Sequence, residues 1–385
     1  MTHLGYKTSS IVYYRSLTRR FANWVRHSDI EPSTIDDDTV EQFICHCRKL
    51  ARHDWSARFR TDYTRALNRF VSFLREKGAV PPVELVPIKT PNRRVLDFLE
   101  WLRRHRGVSE STVATHGRMI MKLLPALGDE PSTYDAGLVR RVILEEARHR
   151  SGPYIKALTT ALRSYLKFLV AQGDCRAWLD HAVPTVARWR LSALPRYLPA
   201  AAVEQLIASC DTTKNSGIRD KAILLLLARL GLRAGDIVAM RLDDIEWRSG
   251  TLRVCGKGRR EVRLPLPQDI GDAILLYLNG ARPAIDSDKV FLRALAPPGP
   301  LAGSASVTCI VKYALDRAGI TDAPSKGANL LRHTAATSML RSGASLDVIG
   351  AVLRHRSVET TAHYAKVDHQ SLRRIVQPWP GDMPC

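Results

Sequence analysis

Five side chains in the second half of this 385-residue chain carry groups suited to an oxyanion: Arg233, Lys257, Arg332, His355 and Tyr364. Arg233, in "ARLGLRAGDIVAM", follows a glycine and an apolar run, so its guanidinium is anchored at the start of the next helix. Asp236, three residues on, can orient it. Lys257 sits in "CGKGRR", where flanking glycines permit close approach to a backbone phosphate, and Arg259 and Arg260 add charge beside it. Arg332 lies in "ANLLRHTAATSML". There Leu331, Ala335 and Met339 form a buried stripe, which leaves Asn329, Arg332 and His333 on another face at i, i+3 and i+4. His355 closes a helix carrying Leu346, Ile349, Val352 and Leu353. Tyr364 lies on the next helix, with Ser357 as its expected N-cap. Taken singly each has a plain reading: a solvated arginine, a polar turn lysine, a capping histidine, a half-buried tyrosine anchor. Order and spacing are what set them apart.

The elements that must position these groups are mainly helical. "SGIRDKAILLLLARLG" (216–231) and "SASVTCIVKYALDRAG" (304–319) read as helices closed by glycine. Between them "GTLRVCGKGRREVRLPL" (250–266) reads as two short strands around a Gly-Lys-Gly turn. Helices are expected near 328–341, 345–354, 357–366 and 368–377. The fold class expected is therefore mainly α with a small antiparallel β-sheet.

Two proline-bearing stretches, "AVPPVELVPIKTP" (79–91) and "VPTVARWRLSALPRYLP" (183–199), divide the chain into segments 1–80, 92–182 and 196–385. The first two look like copies of one design. "STIDDDTVEQFI" (33–44) matches "STYDAGLVRRVI" (132–143), and "ALNRFVSFLREKG" (66–78) matches "ALRSYLKFLVAQG" (161–173). Apolar residues recur at helical spacing in both, and Gly78 and Gly173 close the helices.

Lys and Arg number 58 against 38 Asp and Glu, a net charge of +20. Residues 1–200 hold 33 basic and 20 acidic residues, and residues 201–385 hold 25 and 18, so both halves are basic. That distribution suits a protein that wraps a polyanion, and nucleic acid is the expected partner. The longest apolar run, "AILLLLA" at 222–228, is far too short to span a bilayer, and the N-terminus has no signal-peptide core. A membrane role is not expected. The seven scattered cysteines form no CxxC pair, and "CHC" at 45–47 lacks a second ligand pair, so no metal site is expected. No GxGxxG, P-loop or HExxH motif appears. A reducing cytoplasm fits.

The string "LGLRAGDI", "GKGRREVRLPL" with its lysine 24 residues after Arg233, "LLRHTAAT" and "LRHRSVETTAHY" resembles the tyrosine site-specific recombinase (phage integrase) family. The resemblance covers the third segment, and the helical repeats before it resemble that family's core-DNA-binding domain. It implies helical N-terminal DNA-binding domains plus a tyrosine-recombinase-like catalytic domain over 196–385. It also implies an Arg-Lys-(His)-Arg-His-Tyr constellation, matched here by Arg233, Lys257, Arg332, His355 and Tyr364. Two places depart from the family's pattern. Asn329 stands in the usual histidine slot, and Arg354 stands where a glycine commonly precedes the final histidine. Asn329 can hydrogen-bond a phosphate oxygen but cannot pass a proton at neutral pH. His333 is a candidate substitute for the missing histidine, but the family often has a histidine there in a packing role, and packing is the role expected.

The implied chemistry is metal- and ATP-independent strand cleavage and rejoining, with no cofactor. Two guanidiniums bind the non-bridging oxygens of one phosphodiester and stabilise its pentacovalent transition state. Tyr364 attacks phosphorus, giving a 3′-phosphotyrosyl ester. Lys257 protonates the leaving 5′-oxygen, and His355 bonds the phosphate or helps deprotonate Tyr364. The partner implied is double-stranded DNA, bound as a tetramer, with accessory recombinases possible, in the cytoplasm at the nucleoid. Lys156 and Arg163 in the 92–182 segment, and Arg259 and Arg260 beside Lys257, are candidate DNA contacts. The expected function is a site-specific recombinase or integrase of a mobile element. The alternatives are a catalytically impaired DNA-binding accessory recombinase, motivated by Asn329, and a type IB topoisomerase.

Overall fold

The computed structural model describes residues 6, 8–50, 57–80, 92–185, 194–255, 261–355 and 357–367. Most of the two proline-bearing stretches and the helix expected at 368–377 lie outside these residues. The chain divides into two compact units, one of Ser16–Arg190 and one of Leu191–Cys385 together with Met1–Arg15.

The repeat read from the sequence is repeated in the backbone. Helix α1 (Thr8–His27) leads through a 3₁₀ turn at Pro32–Thr34 into α2 (Asp37–Leu50) and α3 (Ala57–Glu76). After α4 (Arg93–Arg106), the same order returns: α5 (Glu110–Leu127), a 3₁₀ turn at Pro131–Thr133, α6 (Ala136–His149) and α7 (Gly152–Gln172). The two Pro-Ser-Thr turns close alike. Thr34 Oγ1 donates to the Glu31 carbonyl at 2.9 Å, and Thr133 Oγ1 donates to the Glu130 carbonyl at 2.7 Å. Each is followed by an aspartate that accepts a backbone N–H three residues on, Thr39 N–H to Asp36 at 2.8 Å and Leu138 N–H to Asp135 at 2.7 Å. Such side-chain acceptors satisfy N–H groups that the first helical turn leaves unpaired. The core of the second copy is apolar, with Phe98, Leu162, Tyr165 and Leu169 fully buried.

In the other unit the apolar run at 222–228 lies inside α9 (Asn215–Arg229), preceded by α8 (Ala200–Ala208). Residues Ala222 to Ala228 are all buried, so α9 is a core helix rather than an amphipathic one. Short α10 (Ala234–Ala239) follows, then β1 (Ile245–Glu246), β2 (Thr251–Cys255) and β3 (Glu261–Pro265). These form an antiparallel sheet in the order β1-β2-β3, with Leu252 opposite Leu264 and Val254 opposite Val262. The ladder runs to Cys255 opposite Glu261, while Lys257, Arg259 and Arg260 lie outside the described residues. Helices α11 (Gln268–Leu276), α12 (Ser304–Arg317), α13 (Ala328–Arg341), α14 (Leu346–Leu353) and α15 (Val358–Ala362) complete the unit. The fold is mainly α with a small antiparallel sheet, as expected. Among the described residues no helix is long and apolar enough to cross a membrane.

Candidate active site

Two glycines let the elements of this site approach closely. Gly231, just beyond α9, has φ +58°, and a Cβ there would lie 2.5 Å from Leu353 Cδ2. Gly350 on α14 admits Thr361, whose Oγ1 would be 3.0 Å from a Cβ at 350. The C-terminal ends of α9 and α14 and one face of α13 therefore converge.

Arg332 is the centre of that convergence. Its guanidinium donates to the Gly231 carbonyl at 2.5 Å and to the Leu353 carbonyl. The residue is 6% exposed. Burial, then the neighbouring Arg233 charge, lowers its pKa to about 10, so it remains charged at neutral pH. The face expected from helical spacing is only partly right. α13 is buried nearly all round, so Arg332 is inside while Asn329 is exposed.

Arg233 begins α10, and its Nη2 donates to the Arg354 carbonyl at 3.1 Å. Asp236 accepts the Arg233 backbone N–H at 2.8 Å and also pairs with the Arg354 guanidinium. Arg354 itself follows α14 in the left-handed region, at φ 55° and ψ 50°. For a residue with a Cβ that conformation costs about 1–2 kcal/mol.

His355 comes next, its Nδ1 at 2.8 Å from Thr361 Oγ1, which leaves Nε2 as the ring nitrogen for another partner. Burial, followed by the charges of Arg332 and Arg233, lowers its pKa to about 4. At neutral pH it is an uncharged imidazole. Ser357 is the N-cap of α15 by position, but its side chain makes no capping bond.

Tyr364 lies past α15, in a 3₁₀ turn at His363–Val367, rather than on an α-helix. Its ring is 2% exposed and packs with Ala336, Ile349 and Leu353. Its hydroxyl shares a 2.8 Å hydrogen bond with His333 Nδ1. The His355 ring lies parallel to the phenol, 6.2 Å between centroids and 8° between planes. Burial raises the phenol's pKa, with Arg332 opposing, while burial, His363 and Arg332 lower that of His333. A protonated phenol thus faces a neutral imidazole.

The structure brings Arg233, Arg332, His355 and Tyr364 into one cluster. The family resemblance favours packing over a base's role for His333; the turn that returns Tyr364 to α13 is what sets its ring against the phenol. Of the DNA candidates, Lys156 is exposed, whereas the Arg163 guanidinium donates to the Val183 and Pro184 carbonyls at 2.9 Å each.

Residues 196–371 match the phage integrase family. The chain is 38% identical over 370 residues to the integrase/recombinase y4rA of Sinorhizobium fredii (strain NBRC 101917 / NGR234), spanning 94% of this chain and 88% of that one. It belongs to the tyrosine recombinase family. It is also 26% identical to the tyrosine recombinase XerD of Lacticaseibacillus casei, over 72% of this chain and 95% of that one. Its fold is similar to that of XerH site-specific recombinase bound to a palindromic difH substrate, with a TM-score of 0.57 and 16% identity over 80% of this chain and 93% of that one. A lambda integrase tetramer bound to a Holliday junction gives a TM-score of 0.56 and 15% identity, over 81% of this chain and 88% of that one. This tyrosine recombinase is thus a DNA-cleaving and rejoining enzyme of site-specific recombination.

Proposed function

We propose that this recombinase cleaves its target strand by attack of the Tyr364 hydroxyl on a phosphodiester held by Arg233, Arg332 and His355. The observation that carries the reading is the convergence of these four groups from three separate stretches of chain, with the Tyr364 hydroxyl already bonded to an uncharged imidazole, His333, at 2.8 Å. The two guanidiniums neutralise the non-bridging oxygens as charge builds in the pentacovalent transition state. His355 Nε2 is the third donor to the phosphate. His333 takes the phenolic proton as the new phosphorus–oxygen bond forms. The bond to the 5′-oxygen breaks, and Lys257 gives that oxygen a proton. The product is a 3′-phosphotyrosyl ester and a free 5′-hydroxyl, and attack by a partner strand's 5′-hydroxyl reverses the sequence.

Segment 196–385 is the catalytic domain in this reading and 92–182 the core-DNA-binding domain. Segment 1–80, which repeats its turns and caps, is a second helical module on DNA. The enzyme works as a tetramer, in the manner of the lambda integrase on a Holliday junction, with accessory recombinases and a mobile element as its setting. Its place is the cytoplasm, at the nucleoid.

Incubation with a nicked suicide duplex carrying its site tests the chemistry. Wild-type protein should form a covalent, protease-sensitive adduct that Tyr364→Phe abolishes. A wild-type protein that binds the duplex but forms no adduct would instead be a DNA-binding accessory recombinase. Relaxation of any supercoiled plasmid without a specific site would place the protein with the type IB topoisomerases.

A further inference from the structure

Arg354 is held in a way that its backbone position does not require. The residue after α14 adopts a left-handed conformation, which glycine reaches freely and a side chain with a Cβ does not. Local hydrogen bonds already close this helix end, from Arg354 N–H to the Ala351 carbonyl at 3.0 Å and from His355 N–H to the Gly350 carbonyl at 2.9 Å. A glycine would make both. The arginine adds a side chain that turns inward, only 5% exposed, to pair with Asp236, itself 9% exposed. Two of its nitrogens, Nε and Nη1, are buried without a hydrogen-bond partner among the described residues. Buried donors left in that state are costly, so the ion pair to Asp236 is what fixes the guanidinium.

The same carboxylate oxygen, Asp236 Oδ2, accepts the backbone N–H of Arg233 at 2.8 Å. In return, the Arg233 guanidinium donates to the Arg354 carbonyl at 3.1 Å. Arg233 and Arg354 are 121 residues apart in the chain and grip each other in both directions. The residue after Arg354 is His355, so this bracket joins the start of α10 to the turn that carries the imidazole. A one-ångström error between groups that meet one phosphate is expensive in rate, and a fixed frame removes it.

We propose that Arg354 is a positioning residue of strand cleavage, which through Asp236 holds Arg233 and His355 in register before DNA arrives. This rests on the reading that those two groups contact the scissile phosphate. The test is the first-order rate of covalent adduct formation on the nicked suicide duplex at saturating protein, measured beside DNA affinity and thermal stability. Arg354→Gly relieves the backbone conformation and removes the bracket. It should slow adduct formation tenfold or more while the Kd for DNA changes less than twofold. Arg354→Lys, which keeps a cation for Asp236, should recover at least a third of the wild-type rate. In an Asp236→Asn background Arg354→Gly should cause no further loss, because the two act through each other. Cleavage by Arg354→Gly within twofold of wild type, or fully additive losses in the double variant, would overturn the assignment. A wild-type protein that forms no adduct overturns the cleavage reading and this one together; a normal wild-type adduct with an indifferent Arg354→Gly sinks the positioning role alone.

Discussion

His333 Nδ1 lies 2.8 Å from the Tyr364 hydroxyl, 31 residues away in the chain. The turn after α15 folds the phenol back onto α13 one residue beyond Arg332, so one helix carries both the proposed phosphate clamp and the group that meets the proposed nucleophile. General acid–base contacts of this kind contribute roughly 10²–10⁴ in rate. His333→Phe keeps a ring of similar size and removes the proton acceptor. Adduct formation should fall by about 10² with DNA affinity unchanged within twofold. Cleavage at the wild-type rate would exclude His333 as the base.

Removing the buried clamp should affect chemistry and folding together. Arg332→Ala should reduce cleavage by about 10²–10³, as loss of a charge-stabilising donor does elsewhere. It also strips donors from the Gly231 and Leu353 carbonyls, so unfolding in urea should show a loss of about 1–3 kcal/mol. Arg332→Lys should remain slow, because an ammonium cannot reproduce a fork spanning two carbonyls. A lysine variant with wild-type activity contradicts this geometry.

Gly231→Ala tests the close approach behind that clamp. The new methyl would sit in a left-handed backbone conformation and 2.5 Å from Leu353 Cδ2. A destabilisation of about 1–3 kcal/mol is expected from strain and overpacking. A lowered urea midpoint with an unchanged slope is the expected signature. An unchanged midpoint would show that Leu353 moves aside freely.

Acid should weaken the fold in a defined window. The pKa of His355 falls from an ordinary 6.5 to about 4 on folding, so the folded state holds it neutral. In that interval the unfolded chain binds more protons, and stability is lost as pH falls from 6.5 toward 4. His333 shifts in the same direction. Thermal unfolding should show Tm dropping across this range, and His355→Gln should flatten the slope. An identical slope in the variant would assign the acid sensitivity elsewhere.

Asn329 is exposed on α13, one helical turn before His333. Asn329→His should therefore fold normally and cleave at the wild-type rate or faster. A large loss of rate would show that the amide itself serves the reaction.

Much of this protein is legible without coordinates, for local physical reasons. The apolar period of α7, the glycines after α3, α7 and α9, and the alternation in β2 and β3 all follow from rules acting over a few residues. The duplicated helical design is legible in the same way, since its Pro-Ser-Thr turns and capping aspartates are short-range devices. Arg233, Arg332, His355 and Tyr364 stand out by type and order.

The limits of that reading lie where a residue's neighbours come from distant chain. Helical spacing put Asn329 beside Arg332 and His333 on one face; burial of α13 on nearly all sides put Arg332 within and Asn329 without. Spacing cannot pair Arg354 with Asp236, 118 residues earlier, or show that Asp236 caps one element while anchoring another. Nor can it choose between a tyrosine that anchors and one that reacts. Types and order nominate the groups, because a guanidinium or a phenol has the same chemistry wherever it lies. Only packing assigns their partners, and the partners set the charge state, the accessible atom and so the role.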